Sequence, residues 1–580
     1  RPPNHLPSNP PSSTMNKIAL LRSSALTLFC SVLAWYSAPT CAVAQPASPG
    51  EPPVKAPFLK GEDSLCVNDW WNRPANPIID LKVPRDQVVA FGLYTVANGI
   101  LKLSAQLYPL YPSETREVRL EVERDGHWVE LARRSVNDLG WSTAFRIEKW
   151  DHSRDQKYRL RHGERATFDG LIRKSPVSKY EIKLVALSCN SNRDRGLRPE
   201  YTRNLNHQDP DLVFFAGDQS YDHKEHTAAW LKFGLAFKEI IRSRPCVSIP
   251  DDHDIGQGNL WGENGKIATS PAGDSGGYFF HHDYIKMVER QQCANLPDPF
   301  DPAPVEQGIG VYYTSLNVGG VDFAILEDRK FKTGPLGRHP MKGPRPDHIL
   351  DPNYDPAVID TPGLQLLGER QLKFLADWGA RRAGVVMRAV LSQTGFSGSA
   401  HLHGAPTNRL HADLDSNGWP QSGRLAALKL IRQANAVHIA GDQHIATLVQ
   451  HGVDRHRDGP WSFVVPAIDN SYYGRWWWPE NEKAGGNRVA GSPLPWTGDY
   501  LDGFNNKITM HAYANPDVTY FESQKTRTAN LGKSGWADGW GLIRFKKSTR
   551  EVTFECWPRF TDVTQPGAQQ FPGWPHTIKL

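Results

Sequence analysis

The chain has 580 residues, of which 39% are hydrophobic and 22% are charged, as in a globular protein with room for more than one hydrophobic core. Its formal net charge is +5, and the basic residues are scattered along the sequence, so the composition does not indicate nucleic-acid binding. No apolar run after the first 44 residues approaches the length of a membrane span, so a membrane-spanning protein is not predicted.

Residues 15–44 have the pattern of a secretory signal peptide. Lys17 and Arg22 place positive charge at the apolar stretch 25–35, and a small-residue cleavage motif ends the segment. We therefore expect an exported protein, periplasmic or secreted. The Pro/Ala-rich segment 45–58 that follows is predicted to be a linker.

Residues 59–180 contain short runs in which apolar and polar residues alternate, for example 88–94 and 118–122. Turn residues such as Asp125-Gly126 separate the runs. A period of two with frequent turns is typical of antiparallel strands. We therefore predict an all-β sandwich domain of the immunoglobulin/fibronectin-like kind, with the role of a scaffold or lid.

Residues 181–580 have a different pattern, in which strand-like apolar runs alternate with segments of helical spacing at 366–378 and 425–433. This alternation predicts an α/β domain, a layered βαβ sandwich. In such domains ligands gather beyond the carboxyl ends of the strands. The predicted strands lie at 182–187, 212–216, 246–249, 321–326, 385–391 and 437–440.

Several of these strand ends carry carboxylates. The tetrapeptide Ala-Gly-Asp-Gln ends two apolar runs, at 216–219 and 440–443, and its glycine allows a sharp turn off the strand. Carboxylates crowded at one sheet edge would repel one another unless cations bind between them. The sequence therefore predicts a metal site built from Asp218, Asp251, Asp252, Asp254 and Asp442.

Four motifs occur in order: LSCN at 187–190, GDQSY at 217–221, PDDHDIGQGN at 250–259 and AGDQH at 440–444. From residue 181 onward the chain resembles the alkaline phosphatase D (PhoD)-like metallophosphoesterases of the calcineurin-like phosphoesterase superfamily. The Asp-x-x-Tyr spacing is also similar to that of purple acid phosphatases. The resemblance implies a metal-dependent phosphatase or phosphodiesterase, in which metal-activated hydroxide attacks phosphorus in line.

The resemblance also implies a role for each ligand. Cys189, Tyr221 and His444 would bind Fe³⁺, and Asp218 would bridge two metals. Asp442 would bind the second metal, and its all-oxygen ligand set favours Ca²⁺, with Zn²⁺ and Mn²⁺ as alternatives.

Two further motif positions have alternative ligands or roles. Asp252 and Asn259 are alternative ligands of the second metal, because the spacing after His253 is longer than in the family pattern. His253 would stabilise the transition state or act as general acid, oriented by a carboxylate such as Asp254.

Arg329 matches the strand-end Asp-x-Arg of the family, where a guanidinium holds phosphate oxygens. The alternative is a surface ion pair with Asp328. Gln393, His401 and His403 follow another predicted strand, and the sequence does not choose among them as ligands.

Five cysteines remain after removal of the predicted signal peptide: Cys66, Cys189, Cys246, Cys293 and Cys556. An odd number in an exported protein predicts one unpaired or otherwise employed thiol, while four could form two disulfides of unknown pairing. Cys189 is thus either the iron ligand or a disulfide partner.

The aromatic stretch at 472–478 could line a substrate cleft, or it could pack against the β-rich domain. The first reading supports phosphodiesterase action on cell-wall or lipid polymers. It also supports an alternative function, an exported polysaccharide-binding protein with structural metals. The expected partner of the enzyme is a small-molecule or polymeric phosphoester. Trp536, Trp540 and Trp557 are predicted core residues.

Overall fold

The computed structural model describes residues 63, 65, 70–72, 74–192, 196–339, 345–403, 409–469, 475–479, 482–516 and 537–580. The predicted signal peptide and linker, together with Cys66, Tyr472, Tyr473 and Trp536, lie outside the described residues. Within the described part of the chain, no helix is both long enough and apolar enough to cross a membrane.

The first part of the described chain forms two antiparallel sheets. Strands β1–β7 are Val89–Ala97, Ile100–Leu107, Glu117–Arg124, His127–Ser135, Ser142–Ile147, Gln156–His162 and Ala166–Ile172. They pair in the orders β1-β2-β5 and β4-β3-β6-β7, and apolar residues of both sheets, such as Leu103 and Leu160, belong to one buried cluster. The predicted antiparallel segment is present, whereas its immunoglobulin/fibronectin-like type and its boundary at residue 180 stay predictions.

The rest of the chain alternates strands and helices. The helices α1–α5 are Pro199–Gln208, His226–Ile241, His282–Cys293, Gly368–Ala380 and Gln421–Gln433. The strands β8–β26 are Glu181–Asn190, Leu212–Phe215, Cys246–Ser248, Thr314–Val318, Val321–Ile325, His348–Ile349, Met387–Thr394, Leu402–His403, Ala412–Asp413, Ala436–Gly441, Ala446–His451, Trp461–Val464, Ala467–Asp469, Arg475–Trp476, Gly498–Leu501, Lys507–Ala514, Gly539–Lys546, Glu551–Pro558 and His576–Lys579.

Most of these strands belong to two large mixed sheets. The first has the order β10-β9-β8-β24-β25-β26, with β20 also paired to β8, and the second has the order β11-β12-β14-β17-β19-β18-β23-β22. Strands β8, β9 and β10 run parallel in the first sheet, and β12, β14 and β17 run parallel in the second. Each sheet therefore collects the carboxyl ends of its parallel strands at one edge.

The two sheets stack, and helices cover their outer faces. Along β8, Ile182 and Leu184 belong to the apolar cluster between the sheets, whereas Val185 and Leu187 belong to the cluster that includes residues of α1 and α2. Helices α4 and α5 pack on the second sheet through a third cluster. The alternation of buried positions with period two thus produces a four-layered α/β/β/α arrangement and confirms the predicted layered α/β class.

The predicted strands and helices of this part are all present. Their bounds differ from the predicted ones by a few residues; β14, for example, begins at Met387 rather than at residue 385. The N–H of Val385 donates to the carbonyl of Arg382 at 3.2 Å, so these residues form a turn before the strand starts.

Candidate metal centre

The candidate site lies where strand ends of the two sheets meet. The N–H of Asp442, after β17, donates to Ser188 Oγ of β8 at 3.0 Å. A Cβ at Gly441 would lie 2.1 Å from that Oγ, and one at Gly217 would lie 2.5 Å from the Cβ of Asp251. Both glycines of the repeated tetrapeptide are therefore required for close approach of the chain segments.

Four candidate ligands have left-handed backbone conformations. The φ angles of Cys189, Asp218, Asp442 and His444 are 58°, 59°, 67° and 52°. Such conformations cost a non-glycine residue about 1–3 kcal/mol and persist only where the surroundings hold them. The chain thus turns at the residues that carry the candidate donor atoms.

The first donor group consists of Cys189, Asp218, Tyr221 and His444. The Tyr221 hydroxyl donates to Asp218 Oδ2 at 2.7 Å and lies 3.1 Å from His444 Nε2. Cys189 Sγ lies 3.8 Å from the same Asp218 oxygen. The thiol, carboxylate and imidazole donor atoms all lie within 4.8 Å of one another, which is the spacing of ligands around one ion.

The environment of the first donor group opposes ionisation of its acids. Burial, with the nearby Asp218 carboxylate, raises the pKa of the Cys189 thiol and of the Tyr221 phenol well above their usual values. Burial and neighbouring carboxylates likewise raise the pKa of Asp218, and burial lowers the pKa of His444. A bound cation would reverse this preference, since metal ligands bind in their deprotonated forms.

The second donor group consists of Asp251, Asp252 and Asp442, whose carboxylate oxygens also lie within 4.8 Å of one another. Arg329 compensates part of their charge: its Nε and Nη2 bind Asp251 at 2.8 and 3.2 Å, and Nη2 lies 3.0 Å from Asp442 Oδ2. Its Nη1 binds Asp415 Oδ1 at 2.7 Å.

Arg329 is 1% exposed, so a surface ion pair with Asp328 is ruled out. The Asp328 carboxylate instead accepts a hydrogen bond from the backbone N–H of Thr394 at 3.0 Å. The sequence places Asp328 beside Arg329, but the fold turns the guanidinium toward carboxylates that are distant in the chain.

Asp252 connects the two groups. Its carboxylate oxygen lies within 4.8 Å of donor atoms of Asp218 and His253, and its Oδ1 is buried and accepts no hydrogen bond from the described residues. The alternative ligand Asn259 accepts a hydrogen bond from Arg345 Nη2 at 3.3 Å. The geometry favours Asp252, and the assignment of Asn259 as a ligand stays a prediction.

His253 lies beside both groups. The backbone N–H of His253 donates to Asp218 Oδ1 at 3.3 Å. Its imidazole ring has its centroid 4.2 Å from that of Tyr221, and the ring Nδ1 is 2.6 Å from His223 Nε2. Burial, and then His223, lower the pKa of His253 well below the usual value.

The expectation that Asp254 orients His253 is wrong. The Asp254 carboxylate is occupied by backbone N–H groups at 2.8–3.0 Å, which belong to Asp218, Ser220 and Asp251. These three bonds hold the turns after β9 and β10 together, and the neighbour of the His253 ring is His223 instead.

The two carboxylate oxygens of Asp218 have different neighbours. Oδ2 accepts from Tyr221 in the first donor group, and Oδ1 accepts from the backbone of His253, next to Asp252. A carboxylate in this position can offer one oxygen to each of two ions.

No disulfide joins the cysteines that the structure describes. Cys189, Cys246, Cys293 and Cys556 are buried free thiols, so the interpretation of Cys189 as a disulfide partner is wrong. Their surroundings explain this: Cys189 is in the first donor group, whereas Cys293 Sγ is 3.6 Å from the carbonyl of Ser248.

The three residues that the sequence left open belong to neither donor group. Gln393 accepts a backbone N–H at 3.2 Å and donates to a carbonyl at 3.1 Å. His401 Nδ1 accepts from the N–H of Trp478 at 3.2 Å, and His403 Nδ1 is 2.7 Å from His348 Nε2.

The described tryptophans of the aromatic stretch are packed inside the α/β part of the chain. Trp476 and Trp477 are each 1% exposed, and their indole N–H groups donate to backbone carbonyls at 2.7 and 2.9 Å. Trp477 belongs to a cluster with Ile445, so the expected packing against the β-rich segment is wrong. Of the predicted core tryptophans, Trp540 is buried and Trp557 is half-buried.

Sequence reasoning missed two residues that complete the site. His223 lies two positions after Tyr221, and the Ser-Tyr-Asp-His spacing could have indicated it. Asp415 lies 86 residues from Arg329 in the chain, and no local pattern marks it as the partner of the guanidinium.

Comparison with known proteins identifies the fold. No protein-family profile matches the chain, and a search of curated proteins finds no match. A solved structure of PhoD aligns with a TM-score of 0.56 and 14% identity over 84% of this chain and 90% of that chain. The purple acid phosphatase PPD1 from yellow lupin (Lupinus luteus) seeds aligns with a TM-score of 0.50 and 12% identity over 85% of this chain and 74% of that chain.

A dimetal phosphatase from Danio rerio also aligns, over 49% of this chain and 87% of that chain with 10% identity, but its TM-score of 0.30 is too low to carry an argument. The two stronger alignments confirm the predicted PhoD-like metallophosphoesterase fold. Identities this low establish the fold and not the activity.

Proposed function

We propose that this protein is an exported, metal-dependent hydrolase of phosphate esters. The observation that carries the proposal is the position of Asp218 between two donor groups, with its oxygens facing different neighbours. A carboxylate shared by two ions is the common element of sites that hydrolyse phosphoesters with a metal pair. The PhoD-like fold supports the same conclusion by analogy.

The residues present fit a metal pair. Thiolate, phenolate and imidazole donors suit Fe³⁺ in the first donor group, and the oxygens of Asp252 and Asp442 suit a hard divalent ion, Ca²⁺ before Zn²⁺ or Mn²⁺. The buried Asp252 Oδ1, without a hydrogen bond from the described residues, is a donor available to such an ion. Bound metals would supply the Lewis acidity that lowers the pKa of an attacking water.

His253 is the proposed general acid. Its side chain is 23% exposed, whereas the carboxylate of Asp252 beside it is 3% exposed, so His253 is the more open of the two toward an entering substrate. A positioned acid contributes about 10²–10⁴-fold to the rate by protonating the leaving oxygen.

The role we propose for Arg329 differs from the expectation of phosphate binding. To hold phosphate, the guanidinium would have to leave Asp251, Asp415 and Asp442. We propose that it compensates their charge and fixes the carboxylates that face the second metal.

The alternative function, polysaccharide binding, rested on an exposed aromatic face. The buried Trp476 and Trp477 offer no such face, and Trp478 donates its indole N–H to Glu482 at 3.0 Å. No observation in the described residues therefore favours it. Both phosphomonoesters and phosphodiesters stay candidate substrates.

The first experiment is elemental metal analysis of the purified protein together with its visible spectrum. We expect iron and a second metal, and a phenolate–iron absorption band that Tyr221→Phe removes. Tyr284→Phe is the matched control, because Tyr284 is buried nearby but donates to the carbonyl of His223. Absence of iron, or a band that is unchanged in Tyr221→Phe, would contradict the ligand assignment.

The second experiment measures hydrolysis of p-nitrophenyl phosphate and bis-p-nitrophenyl phosphate. His253→Ala should lower the rate by about 10²–10⁴-fold while both metals stay bound. Full activity of this variant on each ester would contradict the proposed acid. Export is tested separately, by sequencing the N-terminus of the protein recovered from a secreting host.

A further inference from the structure

Lys332 is buried in a cage of backbone carbonyls close to the candidate site. Its side chain is fully buried, and Nζ donates to the carbonyl oxygens of Leu414, Asp415 and Ser416 at 3.0, 2.7 and 2.9 Å. An ammonium has three N–H donors, so all of its hydrogen-bonding capacity is used by one short loop.

The same loop holds Arg329. Both the carboxylate and the carbonyl oxygen of Asp415 accept from Arg329 Nη1, at 2.7 and 2.9 Å. The opposite side of the guanidinium binds Asp251 and Asp442 of the second donor group. A continuous set of contacts thus leads from Lys332 through Asp415 and Arg329 to the carboxylates proposed to face the second metal.

The position of Lys332 suits a cation because three buried carbonyl oxygens converge on it. Each oxygen also accepts from another donor, from Trp261 Nε1 at 3.2 Å, Arg329 Nη1 at 2.9 Å and the N–H of Trp419 at 3.5 Å, so Lys332 adds a second partner to each of them. Carbonyl oxygens are also the ligands with which proteins replace the hydration shell of a monovalent cation. The Lys332 ammonium therefore occupies a site that has the chemistry of a K⁺ or NH₄⁺ site.

We propose that Lys332 is a positioning residue, which fixes the 414–416 loop and thereby sets where Arg329 holds Asp442. The kinetic consequence rests on the proposed function, but the structural and metal-binding consequences do not need turnover. A change at Lys332 should therefore affect mainly the second metal, because Arg329 holds the carboxylates of Asp251 and Asp442 in the second donor group.

The test compares Lys332→Ala and Lys332→Met with Lys330→Met as the matched control. Lys330 lies two positions earlier and is equally buried, but its ammonium binds Glu289 and Glu327 at 2.6 and 2.5 Å. We expect both Lys332 variants to bind the second metal about 10–100-fold more weakly, with the iron band unchanged. Lys330→Met should lower Tm without changing the affinity for the second metal.

Rescue by ammonium distinguishes a positioning role of Lys332 from a general loss of stability. Lys332→Ala leaves room for a cation among the three carbonyls, so millimolar ammonium should raise its Tm and restore affinity for the second metal. The same salt should not rescue Lys332→Met, in which the side chain fills the space, or Lys330→Met. Sodium chloride at equal ionic strength is the control for screening.

Equal loss of metal affinity in Lys330→Met and Lys332→Met would overturn the proposal, and so would the absence of rescue in folded Lys332→Ala. If Lys332→Ala does not fold, a crystal structure of Lys332→Met provides the test. Unchanged positions of Arg329 and Asp415 in that structure would also overturn the proposal. Failure of the wild type to bind a second metal would instead contradict the proposed function, and the effect of ammonium on Tm would still test the cage.

Discussion

The tetrapeptide Ala-Gly-Asp-Gln occurs twice, at 216–219 and 440–443, at the carboxyl ends of strands that belong to two different sheets. In both copies the aspartate follows a strand and adopts a left-handed conformation, with φ of 59° at Asp218 and 67° at Asp442. Identical local sequence thus gives the same conformation at the aspartate, although only Gly217 has a positive φ, and the two copies have different partners.

The glutamines show the difference most directly. Gln219 Nε2 lies 3.0–3.1 Å from three acceptors, Ser248 Oγ, the Ile249 carbonyl and Gln292 Oε1, and its two hydrogens join β10 to α3. Gln443 Nε2 donates to the carboxylate of Asp442 at 2.5 Å. One copy uses its glutamine for the scaffold, and the other uses it to restrain a candidate ligand.

The charges differ as well. Asp442 has a basic partner, Arg329, at 3.0 Å, whereas among the described residues Asp218 forms no ion pair with a lysine or arginine. A buried carboxylate without a basic partner is costly unless a cation binds it. This difference agrees with the proposed assignment of the more highly charged ion to the first donor group and of a divalent ion to the second.

The largest expected effect comes from removing the shared carboxylate. Asp218→Asn should lose both metals and reduce hydrolysis by about 10³-fold or more, because electrostatic stabilisation at the site depends on both ions. Asp442→Asn should lose only the second metal and keep the iron band. Metal content and spectra distinguish the two variants, and equal loss of iron in both would contradict the bridging role.

The next effect concerns the basic partner. Arg329→Met leaves Asp251 and Asp415 buried without their counter-charge, so metal-free protein should lose about 3–5 kcal/mol of unfolding free energy. Arg370→Met is the control, because its pair with Asp301 is about one-third exposed and contributes about 0–1 kcal/mol. Urea denaturation measures the unfolding free energy of both variants. Similar losses in the two would contradict the expectation that the buried ion pairs contribute more than the exposed one.

The layered fold could be predicted from the sequence because apolar runs of strand length alternate with helical spacing. The turns at Asp218 and Asp442 could also be predicted, since glycine precedes each of them. The partners of Arg329 could not, because Asp251 and Asp415 lie 78 and 86 residues away and meet it only in the folded protein.

Motif reasoning also failed where a side chain had a closer backbone partner than expected. Asp254 is adjacent to His253 in the sequence, but its carboxylate is occupied by N–H groups of the turns. Cysteine counting predicted possible disulfides, but the fold buries the four described thiols without joining them. In each instance the deciding contact is tertiary and leaves no local signature.

A smaller effect on stability is expected from substitution of the tetrapeptide glycines. Gly217→Ala and Gly441→Ala each introduce a Cβ within 2.5 Å of a neighbouring atom, which should cost about 1–3 kcal/mol of stability. Gly258→Ala is the control, because no atom lies within 4 Å of its added Cβ. Thermal unfolding with and without metals measures the effect, and a neutral Gly441→Ala would show that the two sheets can separate at this point.

The smallest effects should separate the two glutamines. Gln443→Leu should weaken binding of the second metal about 10-fold, as expected for a residue that restrains a ligand, with little change in Tm. Gln219→Leu should lower stability by about 1 kcal/mol with metal affinities unchanged. Titration calorimetry measures the metal affinities, and denaturation measures the stabilities. The same pair of changes in both variants would contradict the different roles assigned to Gln219 and Gln443.

The contact between His223 and His253 has a consequence for proton movement. Their facing nitrogens are 2.6 Å apart, and only one hydrogen fits between them, so the tautomers of the two rings are linked. When His223 donates through Nε2, a neutral His253 must carry its own hydrogen on Nε2, the nitrogen 4.0 Å from Asp252. When His223 accepts instead, that nitrogen is bare. In the proposed role of His253 as general acid, the hydrogen that its Nε2 carries would therefore depend on the tautomer of His223, which belongs to neither donor group.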